Sequence, residues 1–168
     1  GHEHGVVKVI FSNDGAYLFS GSKDETIRIW NMETMKPSKI LGNLKGGVVD
    51  IDVTRDCKFA ATAINDKIKI IDLKNEVLAH TIDCDVKQKK NIMYKSNFSC
   101  CKFSPDGKTL ATGNDFGSIR FWDIATWKLL KRKYKNDQLV VTDICFSSDN
   151  KAIFSALNSA EIKLWQYL

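Results

Sequence analysis

Apolar residues along this chain fall into two kinds of short run, and the two kinds alternate four times. The first kind is a hydrophobic-x-x-hydrophobic-x-hydrophobic stretch leading into a Ser/Thr-x-Asp turn. The second, ending eighteen or nineteen residues further on, alternates apolar and polar residues up to a Trp or an aliphatic substitute. The copies read VVKVIFSNDG to IRIWN, VVDIDVTRDC to IKIID, FSCCKFSPDG to IRFWD, and VVTDICFSSDN to IKLWQ. Measured at Phe11, Val53, Phe103 and Phe146, the spacings are 42, 50 and 43 residues, and the matching anchors are Trp30, Ile71, Trp122 and Trp165. A period of two with β-branched and aromatic residues predicts strands, and the Asn13-Asp14-Gly15 and Lys23-Asp24-Glu25 clusters predict the turns between them. In the first copy this gives strands over residues 6–11, 16–20 and 26–30, with a fourth, outer strand near residues 38–41.

One sheet of four short strands cannot bury both of its faces alone, so repetition every 40 to 45 residues predicts sheets stacked side by side as propeller blades. The blocks GSKDETIRIWN and FSPDGKTLATGNDFGSIRFWD carry a more specific likeness. With the other copies, they make essentially the whole chain resemble the WD-repeat β-propellers. The resemblance implies an all-β fold of four antiparallel blades over residues 1–43, 44–84, 96–135 and 136–168, with an insert at residues 85–95 expected as a loop without regular structure. The last blade lacks an outer strand.

The resemblance also implies a structural hydrogen-bonding tetrad in each blade. The first blade is complete, with His2, Ser20, Asp24 and Trp30. The second has Thr62 and Asp66, but Leu44 stands in the His place and Ile71 in that of Trp. The third keeps Thr112 and Trp122, with Tyr94 and Phe116 elsewhere; the fourth keeps Ser155 and Trp165, with Asp137 and Ser159. Ser20, His2 and Asp24 have the composition of a nucleophilic triad, but such a triad is defined by geometry and an exposed serine. Their places in the repeat imply a buried network, so no catalytic residue is expected.

Composition narrows the classes. No run of eighteen apolar residues spans a membrane, and no basic-then-apolar start serves as a signal peptide, so the cytosol or nucleus is the expectation. Cys57, Cys84, Cys100, Cys101 and Cys145 show neither C-x-x-C spacing nor a disulfide framework. Cys101 shares the inward phase of Val9, Ile51 and Ile144 and reads as a small core residue. His4 and His80 stand apart, and neither metal nor cofactor is expected.

The net charge of +5 is concentrated. Lys87, Lys89 and Lys90 lie in the insert. Lys128, Lys131, Arg132, Lys133 and Lys135 crowd the outer edge of the third blade, beside Trp127 and Tyr134. Basic residues interleaved with aromatics suit phosphates and bases, whereas lysines on an exposed edge also block stray strand pairing. Two function classes therefore stay open. One is a non-catalytic scaffold that binds proteins or peptides through the loop face, with Lys23, Lys45, Asn65, Lys89, Lys90, Tyr94, Asp115 and Asn158 as candidate contacts. The other is an RNA-associated module of a processing or ribosome-assembly complex that uses the basic edge.

Four blades in a row leave two end faces open. If each exposes ~500 Å² of apolar surface, roughly 25 kcal/mol of burial is forfeited at ~25 cal/mol/Å², more than the ~5–15 kcal/mol by which a domain is stable. The expectation is that further blades upstream complete the ring. A tight four-bladed closure, or pairing of two arcs through their open edges, would also bury these faces.

Overall fold

The computed structural model describes residues 1–84, 86–89, 92–134, 139–159 and 162–166, with residues 86–89, 92–95, 132–134, 165 and 166 described by their backbone. All regular structure among them is β, and strands take up more than half of the chain, against roughly 20–25% in an average domain. The first sheet runs β1 (Val6–Phe11), β2 (Tyr17–Ser22), β3 (Ile27–Asn31), β4 (Lys36–Leu41). The second runs β5 (Asp50–Val53), β6 (Phe59–Ile64), β7 (Lys67–Asp72), β8 (Val77–Asp83). The insert forms a hairpin, β9 (Val86–Lys89) with β10 (Ile92–Lys95), in place of the irregular loop expected from its lysine-rich sequence. Backbone pairing between β9 and β10 supplies regularity there that side-chain patterning did not signal. The third sheet is β11 (Phe98–Phe103), β12 (Thr109–Asn114), β13 (Ser118–Asp123), β14 (Leu129–Tyr134). The fourth has three strands, β15 (Val141–Phe146), β16 (Ala152–Leu157) and β17 (Ile162–Gln166). Every sheet is an antiparallel meander in sequence order.

The repeated turn between first and second strands follows from its side chains. Ser12, Thr54, Ser104 and Ser147 each donate a hydroxyl hydrogen bond of 2.6–2.7 Å to the Asp two residues on. The same oxygens accept the amides of Tyr17, Phe59, Thr109 and Ala152, where the next strand begins or is about to begin. The residue after each Asp has positive φ: Gly15, Cys57, Gly107 and Asn150. Glycine or asparagine meets that requirement readily, and Cys57 is the exception.

Neighbouring sheets are joined by three apolar layers. Phe19, Ile27 and Ile29 of the first sheet meet Ile51, Ala60 and Ile71 of the second. Ala61, Ile68 and Ile70 meet Cys101, Leu110 and Trp122 of the third. Ala111, Ile119 and Phe121 meet Ile144 and Ile153 of the fourth. The first strands lie side by side, β1 by β5, β5 by β11 and β11 by β15, so each blade presents its leading strand to the same inner side.

Candidate partner-binding surface

In the first sheet one polar network ties the incoming chain to three strand ends. Trp30 Nε1 donates to Ser20 Oγ at 2.8 Å, and an indole nitrogen can only donate. The Asp24 carboxylate can only accept, so Nδ1–H of His2 donates to its Oδ2 at 2.8 Å, which leaves Nε2 to accept the Ser20 hydroxyl at 2.7 Å. Asp24 also accepts the Thr26 hydroxyl at 2.6 Å and the Glu3 amide at 2.9 Å. Burial works to raise the Asp24 pKa, but these donors outweigh it and hold the carboxyl well below its ordinary range. The connectivity is that of a hydrolytic triad, yet Ser20 is 3% exposed and its oxygen is held by Trp30.

The later sheets vary this device. Leu44, in the His place of the second, is buried among the apolar side chains of the first junction, together with Ile71. Thr62 there donates to the Asp50 carbonyl, and the Asp66 carbonyl accepts the Cys84 amide. In the third sheet Trp122 Nε1 donates to Thr112 Oγ1 at 3.0 Å. Where Phe116 replaces the acid, buried Asn114 takes over the turn by accepting the amides of Phe116 and Ser118; a short polar residue at the end of β12 was the available signal. Ser155 is fully buried. The side chains of Tyr94 and Trp165, and Asp137 altogether, lie outside the described residues.

The loop face brings together some of the candidate contacts and commits others to internal bonds. Lys23, Lys45 and Asn65 are exposed and surround Gly46 and Gly47. A Cβ on Gly46 (φ +150°) would lie 2.6 Å from Ile64 Cγ2 and 2.9 Å from Asn65 Nδ2, and one on Gly47 would lie 3.2 Å from the Lys23 Cα, so this linker fits only without side chains. Asp115 accepts from Ser96 Oγ, Asn97 N and Asn97 Nδ2, and Asn158 accepts the Val140 amide; both pin turns to the strands beneath. The Lys89 side chain and Lys90 fall outside the described residues.

A charged ladder on the inner side was not foreseen. Asp52 Oδ1 accepts Lys102 Nζ at 2.6 Å, and its Oδ2 accepts the Phe103 amide at 2.7 Å. Asp50 accepts the Cys101 amide at 3.0 Å and faces Lys8 Nζ at 3.5 Å. Burial pushes both carboxyls above their ordinary pKa despite these partners. Aligned copies place Lys8, Asp50, Cys100 and Asp143 at one position and Ile10, Asp52, Lys102 and Cys145 at the other, so adjacent opposite charges were readable once the first strands were known to be neighbours.

At the outer edge, Lys128 and Lys131 are exposed, while the side chains of Arg132 and Lys133, and Lys135 altogether, lie outside the described residues. Trp127 (φ 55°) turns inward, meeting Phe59 edge-on at 5.5 Å and stacking on His80 at 6.0 Å. No cluster of three or more His, Cys, Asp or Glu able to hold a metal ion occurs among the described residues. Nor is any helix there long and apolar enough to cross a membrane.

Comparison with known proteins agrees with this architecture. The family model "WD domain, G-beta repeat" matches residues 1–31, 89–123 and 128–166, together more than half of the chain. The stretch it leaves out contains the second sheet, where Leu44 and Ile71 depart from the pattern. Human apoptotic protease-activating factor 1 is 25% identical over 99% of this chain and 12% of its own length. Arabidopsis thaliana autophagy-related protein 16 is 24% identical over 92% of this chain and 37% of its own. Drosophila melanogaster WD repeat-containing protein 82 is 25% identical over 98% and 51%. The chain thus spans from an eighth to about half the length of these relatives. Four meander sheets with their leading strands side by side, the Trp–Ser–His–Asp network and the family match together make the chain a member of the WD-repeat family.

Proposed function

We propose that this chain is a non-catalytic scaffold of the cytosol or nucleus that holds protein or peptide partners within a larger assembly. By analogy with the family, whose repeats are in general protein-interaction modules, contact would run through the loop face around Lys23, Lys45 and Asn65. The observation that carries this reading is the contrast between two sets of polar groups. The triad-like side chains are consumed in holding turns, whereas Lys23 and Lys45 stand exposed on a backbone that two glycines fix in place. A relative from Caenorhabditis elegans, 22% identical, is by name a subunit of transcription initiation factor TFIID, which supports a place in a multisubunit complex. The inward turn of Trp127 removes one aromatic from the basic edge and weighs against RNA as the main partner.

The test is affinity capture with Lys23→Glu/Lys45→Glu and Lys128→Glu/Lys131→Glu variants, at two salt concentrations, with and without nuclease. The scaffold reading expects protein partners to be lost with the first pair, to persist with the second and to resist nuclease. Thermal melting should be unchanged, since exposed substitutions shift stability by about 0.5 kcal/mol or less. Loss confined to the edge pair, sensitive to nuclease and falling steeply with salt, would favour RNA. Capture indifferent to both pairs would place the contact elsewhere.

A further inference from the structure

At the end of the sheets opposite the loop face, an open cleft of about 870 Å³ lies between the second and third sheets, within the roughly 300–1,000 Å³ of typical binding clefts. Both of these sheets have a neighbour on either side, so the cleft belongs to the interior of the array. It is framed by the turns over residues 54–59 and 104–109 and by the connection from β13 to β14.

Its apolar wall is particular to this junction. The positive-φ residue of the turn between third and fourth strands is Met35 in the first sheet, Glu76 in the second and Trp127 in the third. Met35 stands 73% exposed and Glu76 pairs with Lys39, whereas the Trp127 ring folds back onto Phe59 of the second sheet. Phe59, Trp127 and Pro105 line the cleft and are only partly covered.

The rim offers donors and acceptors that the fold leaves unspent. Arg55, Lys58 and Lys108 are exposed, and none has a carboxylate within ion-pairing distance among the described residues. The carboxylates beside them are held by their own turns. Asp56 Oδ1 accepts the Thr54 hydroxyl and the Lys58 amide, Asp106 Oδ1 the Ser104 hydroxyl and the Lys108 amide, and Asp123 Oδ1 the Thr126 hydroxyl and amide. In each, Oδ2 has no donor among the described residues and can take one from outside. Three cations and three carboxylates give a lining of no net charge, which is poorly suited to a polyphosphate chain. It suits a ligand that brings carboxylates and N–H groups together.

We propose that this cleft binds an extended peptide segment of a partner protein in which an apolar side chain is flanked by carboxylates. The apolar side chain packs on Trp127 and Phe59, the carboxylates pair with Arg55 and Lys108, and main-chain N–H groups donate to the open carboxylate oxygens. This contact is separate from the loop face around Lys23 and Lys45.

Selection of a random peptide display library on the chain tests this, followed by fluorescence anisotropy with the peptides selected. Enriched sequences should carry an apolar residue with aspartate or glutamate on either side. Arg55→Glu/Lys108→Glu changes exposed positions and should weaken binding roughly 10-fold or more while urea melting stays the same. Trp127→Met copies the turn of the first sheet and should also weaken it roughly 10-fold or more. Lys23→Glu/Lys45→Glu should leave the affinity unchanged. No enrichment, enriched sequences without acidic residues, or an affinity that ignores Arg55→Glu/Lys108→Glu or falls with Lys23→Glu/Lys45→Glu would overturn the proposal. So would a labelled polyuridylate RNA that displaces the peptides and is itself lost with Arg55→Glu/Lys108→Glu.

Discussion

Removing the Asp52 carboxylate should cost more than any exposed charge in the molecule, because two groups of the neighbouring sheet depend on it. In Asp52→Ala the Phe103 amide loses its acceptor in a buried position, at about 1–3 kcal/mol. Lys102 loses its partner too, but its side chain is 37% exposed and reaches water, so the ion pair adds no more than about 1 kcal/mol. The expected loss is roughly 1–4 kcal/mol, or a fall in Tm of roughly 2–16 °C for a chain of this size. Asp52→Asn keeps an acceptor for the amide and should recover about half of that. Lys102→Met supplies the pH test. Burial already holds the folded pKa of Asp52 above its unfolded value, and losing the ammonium raises it further. A raised carboxyl favours the folded state once protonated, so this contribution is present at low pH and lost as pH rises through the folded value. Lys102→Met should therefore gain on wild type as pH falls from neutral to near the ordinary carboxyl value of ~3.9, by about 1.4 kcal/mol for each unit of added shift within that window. Urea unfolding at both pH values reads this directly. A loss below about 1 kcal/mol for Asp52→Ala, or a Lys102→Met deficit independent of pH, would refute the reasoning.

Three further outcomes are expected. Asp24→Ala should lose about 1–3 kcal/mol by chemical denaturation. Because the Asp24 pKa is depressed on folding, that difference from wild type should be full above the unfolded carboxyl value near ~3.9 and shrink as pH falls below it; labelling of Ser20 in the folded protein by a serine-directed acylating probe would revive a hydrolytic role. Gly113→Ala should destabilise by about 1–3 kcal/mol, since its Cβ would lie 2.6 Å from both Cys100 Sγ and Val141 Cγ1 in the packed third junction. Cys57→Gly should stabilise by roughly 0.5–1 kcal/mol in thermal melts, since it relieves a non-glycine residue at φ 54° where Gly15 and Gly107 serve in sister turns.

What the sequence determined by itself is the repeating unit. Alternating runs placed all four strands of the first copy, because a strand's two faces face different environments and the period of two records this locally. The Ser/Thr-x-Asp turns were legible for the same reason, since hydroxyl, carboxylate and amide lie within five residues of one another. The hairpin β9–β10 was not, because its regularity comes from backbone pairing among lysines. Only the tertiary structure decided which residues meet between copies. Asp50, Asp52, Lys8 and Lys102 are ordinary surface-type residues in sequence, and they become an inter-sheet ladder of buried carboxylates and half-exposed lysines because the first strands come to lie side by side. Leu44 in place of a histidine looked like a defect and proved to be apolar packing at a junction. Trp127 looked like a base-stacking aromatic until the turn at β14 directed it onto Phe59 and His80. Local contacts encode a blade, whereas the junctions join residues some 40 to 50 positions apart in sequence, and no pattern within one repeat records them.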